Sequence, residues 1–255
     1  MYEKLQEILK TGSIYEEKEG VNKYYLEAEV KKVGVCRYSI TNADAIIYVI
    51  NLVNGKFQTP PQKKISDLHK AIDNLNKWRN ANLLKLPLDT SNLDSNGWLA
   101  GFIYSDGHFS IKLSGCYSSD DSKVRGRVQC VFSINQSELN RVIGESNIPF
   151  MTKLAEFFQV KLLNKTGNNV HFKGPTKSVV FFAQSDRKHY IITSYLTKFP
   201  LMTSKHLNYL AFFIGLNYLG KRLTNTEILE VRALKNYMNN KRTEFNWDHL
   251  DNFYV

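Results

Sequence analysis

The residues with the clearest potential for chemistry surround Asp106. Residues 97–105 are apolar or small at most positions, Asp106-Gly107 follows, and residues 109–113 alternate between apolar and polar side chains. A carboxylate at the C-terminal end of a helix faces the negative end of the helix dipole, so its position indicates a bound cation. The same residues are equally compatible with a buried helix whose Asp106 begins a turn with Gly107.

A second set of polar residues alternates along the predicted strand 123–134, beside the predicted strand 109–113. Side chains two residues apart share one face of a strand. Cations on such a face can neutralise phosphates, and Arg or Gln can hydrogen-bond to base edges, although basic strand faces are often simply solvated. The candidates on this face are Ser110, Lys112, Lys123, Arg125, Arg127 and Gln129, and weaker candidates from loops and other strands are Tyr117, Lys173, Lys177, Lys31, Lys32 and Arg37.

The composition points to a polyanionic partner in a reducing compartment. The net charge is +10 over 255 residues, and aromatic residues make up 13% of the chain, so the charge does not come from a low-complexity tail. Three cysteines without metal-finger spacing argue against disulfides and against a zinc site. No run reaches the roughly eighteen apolar residues that a membrane span needs. Heavy use of Asn, Lys, Ile and Tyr is typical of an A+T-rich organellar gene.

Helices and strands that alternate along the chain must position these residues, which indicates an α+β fold. Asp94, Ser95 and Asn96 can cap the helix 98–107, and Thr224 with Glu227 forms a capping pattern for a last helix. Other helices are predicted at 2–10, 42–52, 65–78, 149–158, 188–197 and 205–219. Strands are predicted at 13–15, 21–30, 33–40, 109–113, 123–134, 161–163, 170–173 and 179–183.

Two parts of the chain repeat one another. Residues 38–59 align with residues 182–203 without a gap, and residues 5–9 align with residues 154–158. Residues 97–147 precede the second copy and have no counterpart before the first. We therefore predict a truncated first half, residues 1–85, and a second half, residues 86–255, that alone carries the helix ending at Asp106.

The string Leu-Ala-Gly-Phe-Ile-Tyr-Ser-Asp-Gly at residues 99–107 resembles the signature of the LAGLIDADG homing endonucleases. Residues 86–98 and 242–250 resemble the version carried in fungal mitochondrial introns. Tyr104 and Ser105 depart from the acid-plus-small pair that commonly precedes the final acid. The resemblance covers essentially the whole chain, and the signature motif is specific.

This resemblance implies two unequal pseudo-repeated halves, each with an antiparallel β saddle that grips a duplex and helices on one side. In the family two signature helices pack together, and the last acid of each coordinates divalent metal. Asp106 matches that acid. Lys205 falls where the family often has a basic residue near the metal, and a phosphate-contacting or merely exposed lysine is an equal alternative. A mitochondrial matrix location is implied as well.

One signature acid leads to two main hypotheses about function. Two-metal cleavage needs carboxylates on both sides of the cations, so we expect a non-cleaving protein without a cofactor. It would bind structured RNA, as a group I intron maturase or a ribosomal RNA-binding protein. The alternative is an active Mg²⁺-dependent endonuclease that cuts double-stranded DNA as a homodimer or with a second chain. A third hypothesis is a protein–protein module that uses the signature helix.

Overall fold

The computed structural model describes residues 2–17, 20–21, 31–32, 35–59, 63–115, 127–139, 144–165, 176–183, 189–239, 242 and 245–251. The chain divides into two compact units. The first comprises Met1–Lys56 and Lys64–Pro87, and the second comprises Phe57–Lys63 and Leu88–Val255. Both units contain helices and antiparallel strands, so the predicted α+β class is confirmed.

The described residues of the first unit form three helices and two small strand pairs. The helices are α1 (Tyr2–Leu9), α2 (Ala43–Val53) and α3 (Lys63–Arg79). Strand β1 (Ser13–Glu17) pairs antiparallel with β4 (Val35–Ser39), and β2 (Gly20–Val21) pairs with β3 (Lys31–Lys32). Asn42 caps α2, because its Oδ1 accepts from the backbone N–H groups of Asp44 and Ala45.

Side-chain amides fasten the extended segment that follows α3 to the first unit. Asn54 donates to the carbonyl of Leu84 at 2.6 Å and accepts from the N–H of Leu86 at 3.1 Å. Asn76 likewise donates to the carbonyl of Leu83 at 2.8 Å and accepts from the N–H of Leu83 at 2.7 Å. Backbone groups that lie outside any helix or sheet are thereby satisfied.

The second unit is built on a four-stranded antiparallel sheet in the order β5-β6-β8-β7. These strands are β5 (Gly107–Ser114), β6 (Arg127–Ser137), β7 (Leu162–Lys165) and β8 (Thr176–Ala183). Phe109 pairs with Phe132 and Ile111 with Cys130 across β5 and β6. All four side chains are buried, so this face of the sheet belongs to the core.

Five helices of the second unit supply the other side of that core. They are α4 (Trp98–Asp106), α5 (Ile148–Phe157), α6 (His189–Lys198), α7 (Lys205–Gly215) and α8 (Asn225–Asn236). Short 3-10 turns follow at Leu216–Tyr218 and Asp248–Leu250. A Cβ at Gly215 would lie 2.9 Å from Ile111 and 3.0 Å from Cys130, so α7 approaches the sheet closely because it has no side chain there.

The two units share an order of elements. Helix α1, strands β1 and β4, and helices α2 and α3 run in the same sequence as helix α5, strands β7 and β8, and helices α6 and α7. Both strand pairs are antiparallel. This order fits the pseudo-repeated halves of the expected fold, while the boundary between residues 85 and 86 remains a prediction.

Most predicted elements lie within a few residues of the observed ones. The capping pattern before α8 is confirmed, because Thr224 and Glu227 make the reciprocal bonds of a capping box. The predicted helix 205–219 is wrong at its end: α7 stops at Gly215 and a 3-10 turn follows. The predicted strand 170–173 and most of strand 21–30 fall outside the described residues.

Within the part of the chain that the structure describes, no helix has the length and apolar character required to cross a bilayer.

Candidate nucleic-acid interface and metal-binding acid

Hydrogen bonds fix the start of helix α4. Asn96 accepts from the N–H of Trp98, the first residue of α4, through Oδ1 at 2.9 Å. The N-cap position is Gly97, so the predicted side-chain cap is not formed at that position. The Tyr195 hydroxyl, from α6, donates to the carbonyl of Asn96 and accepts from the N–H of Ala100, both at 2.9 Å. Burial raises the pKa of Tyr195 to about 12, so it remains a neutral donor and acceptor.

Helix α4 is only partly buried. Leu99 and Ile103 lie in the core, whereas Gly101 and Tyr104 are exposed, and Tyr104 retains 43% of its surface. A Cβ built on Gly101 would meet nothing within 4 Å. The face with Gly101 therefore packs against none of the described residues, and the burial of this apolar helix is incomplete.

The end of α4 presents Asp106 at the surface and hides Gly107. The Ser105 hydroxyl donates to Oδ2 of Asp106 at 3.2 Å and to the carbonyl of Phe102 at 3.0 Å. A Cβ at Gly107 would lie 2.6 Å from the backbone oxygen of Ile103 and 3.1 Å from the ring of Phe132. Glycine is required after the acid because the helix end and the sheet leave no room for a side chain.

Lys205 reaches the same place from the first turn of α7. Its Nζ donates to the carbonyl of Gly107 at 2.6 Å. Burial lowers the pKa of Lys205, and the nearby carboxylate of Asp106 opposes that shift. The structure therefore brings together the two residues that the resemblance singled out, although their separation in sequence gives no sign of it.

His108 is a third member of this cluster, and sequence reasoning missed it. Partial desolvation lowers the pKa of His108, and the positive charge of Lys205 lowers it further. The side chain is exposed on the strand face opposite the core, since its neighbours Gly107 and Phe109 are buried. Its position two residues after the acid, in an alternating strand, was the available signal.

The donor set at Asp106 fits one side of a divalent-metal site. Mg²⁺ in proteins usually binds one or two carboxylates together with phosphate oxygens, and Asp106 supplies one exposed carboxylate. Among the described residues, no three His, Cys, Asp or Glu side chains lie close enough to hold a metal ion. A pair of cations would need carboxylates beyond this one.

The predicted residues on β5 and β6 share one face of the sheet. Lys112 is paired with Gln129, and Ser110 is paired with Val131, opposite the buried core face. Lys112 and Arg127 are exposed, and Gln129 is half-buried. We call Ser110, Lys112, Arg127 and Gln129 the basic strand face. Its exposed cations lie toward one end, because Val131 and Ser133 farther along are buried.

Among the described residues, the remaining candidates do not lie together. Arg37 is exposed in β4 of the first unit. Lys31 and Lys32 lie in β3, and Lys177 lies in β8. Tyr117, Lys123, Arg125 and Lys173 fall outside the described residues.

A model of the LAGLIDADG endonuclease family matches residues 99–214, which include α4 and Lys205. The intron-encoded DNA endonuclease aI3 of Saccharomyces cerevisiae is 26% identical over 86% of this chain and 57% of its own length. The uncharacterized cox1 intron-2 37.2 kDa protein of Schizosaccharomyces pombe is 22% identical over 85% of this chain and 60% of its own length. The chain thus spans about three-fifths of these relatives.

The fold also resembles solved structures. The LAGLIDADG meganuclease I-AabMI, crystallised with uncleaved DNA, superposes with a TM-score of 0.54 at 18% identity, covering 93% of this chain and 84% of that one. At this level of identity the likeness establishes the fold alone. It agrees with the arrangement of helices and antiparallel strands described above.

Proposed function

The chain belongs to the LAGLIDADG endonuclease family through residues 99–214, and on this premise we propose that it binds nucleic acid without cutting it as a single chain. The observation that carries the proposal is the basic strand face on the strands that follow one candidate metal-binding acid, Asp106. The proposed target is structured RNA in the mitochondrion, either a group I intron or ribosomal RNA. Both curated relatives are described as intron proteins of fungi, which supports that setting.

Electrostatics support the binding part of the proposal. The chain carries a net charge of +10, and Lys112 and Arg127 stand exposed on the basic strand face. Each cation that neutralises a phosphate releases a counterion, so affinity should fall steeply with added salt. The half-buried Gln129 beside Lys112 offers an amide that can hydrogen-bond to a base edge.

The single signature carboxylate supports the proposal that the chain does not cleave nucleic acid. Two-metal catalysis stabilises the attacking and the leaving oxygen with separate cations, which need carboxylates on both sides. Asp106 contributes one carboxylate, and the neighbouring charge is the ammonium of Lys205. A cation beside a single carboxylate opposes the binding of two further cations.

The alternative is a Mg²⁺-dependent endonuclease that cuts double-stranded DNA with help from a second chain. It is favoured by the juxtaposition of Asp106 and Lys205, and by the exposed Gly101 face of α4. A glycine face lets another helix approach closely, so a second signature helix could bring its own acid beside Asp106. Magnesium would then be the cofactor.

One experiment separates these functions. Purified protein is titrated with a folded intron RNA and with a randomised DNA duplex, at several salt concentrations, with and without Mg²⁺. We expect Arg127→Ala and Lys112→Ala each to weaken binding and to lower the slope of log affinity against log salt by about one. Asp106→Asn should leave binding unchanged, and Lys235→Ala, an exposed cation on α8, is the matched control.

Three results would overturn the proposal. Mg²⁺-dependent cutting of the duplex that disappears in Asp106→Asn would establish the endonuclease instead. Absence of any salt-dependent affinity for either polymer would leave a protein–protein role for the signature helix. Equal loss of affinity in Lys235→Ala would mean that the basic strand face is not the binding surface.

A further inference from the structure

The chain after α8 is anchored at two points to the helices of the second unit. Arg242 is buried, donates to the carbonyl of Ser204 at 3.0 Å, and lies over the ring of Tyr237 at 4.7 Å. His249 stacks on His206 of α7, with ring centroids 4.1 Å apart and an interplanar angle of 9°. Leu250 beside it is buried.

Between these anchors, two large aromatic side chains remain exposed. Phe245 keeps 55% of its surface exposed and Trp247 keeps 39%. Their rings are parallel within 9°, with centroids 6.2 Å apart, and the ring of Trp247 stacks in turn toward His249. Burial would stabilise such rings by a few kcal/mol, so their exposure on an anchored segment calls for a ligand with a flat face.

A groove is lined by Asn246, Asp248 and His249, the chain neighbours of these two rings. It has a volume of about 480 Å³ and is lined by apolar side chains of α7 and α8, among them Leu210, Ile214 and Leu234. His206 also lines it, and its buried Nδ1 has no hydrogen-bond partner among the described residues. Small-ligand sites typically combine an apolar lining with a few polar groups in such a volume.

We propose that the groove and the exposed rings of Phe245 and Trp247 form a second contact surface for nucleic acid, which stacks the unpaired bases of a structured RNA. We call it the ring surface. A flat heterocycle satisfies both features, because it stacks on Phe245 or Trp247 and its amino groups can donate to the carboxylate of Asp248, which lines the groove. The positive net charge of the chain favours a polyanion over a neutral apolar partner of the same size.

The ring surface lies on the other side of the second unit from the basic strand face. Helix α7 packs on the core side of the sheet, since Gly215 meets Ile111 and Cys130, while Lys112 points away from that core. A rigid duplex held by the basic strand face would not reach around to the helices. Folded RNA, with loops and bulges beside its helices, can offer paired and unpaired parts to both surfaces.

This inference rests on the proposed function, because it assumes that the partner is RNA bound on the basic strand face. The test uses the full chain and three probes: an RNA hairpin with a long loop, the same stem closed without unpaired bases, and a single-stranded DNA of the loop sequence. Binding is followed by anisotropy and by tryptophan fluorescence. The variants are Phe245→Leu and Trp247→Leu, with Tyr190→Leu as a control of equal exposure, at 58%.

We expect Phe245→Leu and Trp247→Leu each to weaken binding of the looped hairpin by roughly 5- to 100-fold, the loss typical of one stacked base. The closed stem should bind all variants alike, and Trp247→Phe should retain most of the affinity. Binding of the loop should quench the tryptophan fluorescence of the wild type, and this quenching should be absent in Trp247→Phe. The wild type should also bind the single-stranded DNA weakly through the same rings. This result would show that the rings recognise unpaired bases rather than the RNA sugar.

Unchanged affinity of both ring variants for the looped hairpin, with Arg127→Ala still weakening it, would overturn this inference alone. The rings would then be a surface for a protein partner or for nothing. Failure of the wild type to bind any probe would instead overturn the proposed function on which the ring surface rests. Thermal unfolding of each variant excludes loss of fold as the cause.

Discussion

Single residues decide how closely the signature helix meets the sheet. Gly107 and Gly101 both belong to the stretch from α4 into β5, yet their surroundings are opposite. Around Gly107 the backbone oxygen of Ile103 and the ring of Phe132 lie within 3.1 Å of a Cβ position, and around Gly101 nothing lies within 4 Å. The two glycines therefore serve different purposes, although both lie in the same short motif.

We predict that Gly107→Ala destabilises the fold by about 1–3 kcal/mol, because a backbone atom cannot move aside for the new methyl group. The matched change Gly101→Ala should stabilise the single chain by about 0.5–1 kcal/mol, as removal of a glycine from a helix usually does. Urea unfolding of the two variants measures both effects. Similar changes in the two variants would contradict this account of the packing.

Elements are held in place by contacts that span much of the chain. Tyr195 of α6 bridges the carbonyl of Asn96 and the N–H of Ala100 at the start of α4. The first N–H groups of a helix have no partner within the helix. The hydroxyl therefore satisfies one of them and also joins α6 to α4.

We predict that Tyr195→Phe costs about 1–3 kcal/mol, because the buried N–H of Ala100 and the part-buried carbonyl of Asn96 lose their partner while the ring stays in place. Tyr190→Phe, at an exposed position on the same helix, should change the free energy of unfolding by less than about 0.5 kcal/mol. Chemical denaturation compares them. Equal stability of Tyr195→Phe and the wild type would show that water replaces the hydroxyl at no cost.

The location of most elements could be predicted from the sequence, and the contacts between them could not. The capping box at Thr224 is a local pattern, and it predicts the start of α8 correctly. Lys205 lies 98 residues from Gly107, whose carbonyl it meets, and no periodicity encodes that meeting. The sequence did not predict that the Gly101 face is exposed, for a similar reason. A run of apolar residues predicts that a helix is buried, but it does not identify the element that buries it.

At the scale of the whole molecule, the free energy of unfolding should decrease as the pH becomes mildly acidic. Burial, followed by the proximity of His249, lowers the pKa of His206 to about 4, and burial lowers the pKa of His249 as well, although Asp248 opposes this. Both rings are stacked as neutral groups. The unfolded chain takes up protons near pH 6.5, so folding is penalised as the pH falls below that value.

We predict that the free energy of unfolding declines between pH 6.5 and pH 5, with a slope of at most about 1.4 kcal/mol per pH unit for each histidine. His206→Phe keeps a ring for His249 to stack on and removes one titrating group, so its slope should be smaller. Thermal melts at several pH values measure this, with His69→Phe in α3 as the control. Parallel curves for the wild type and His206→Phe would rule out the histidine pair as the source.

The sheet order of the second unit also sets the pace at which this protein can be made. Strand β6 lies between β5 and β8, and β8 is encoded about forty to fifty residues after it. At ribosomal speeds of roughly 5–20 residues per second, β6 waits about 2–10 s for its second neighbour. During that interval an apolar strand edge stays unpaired, so the nascent chain should depend on chaperones until β8 has left the ribosome.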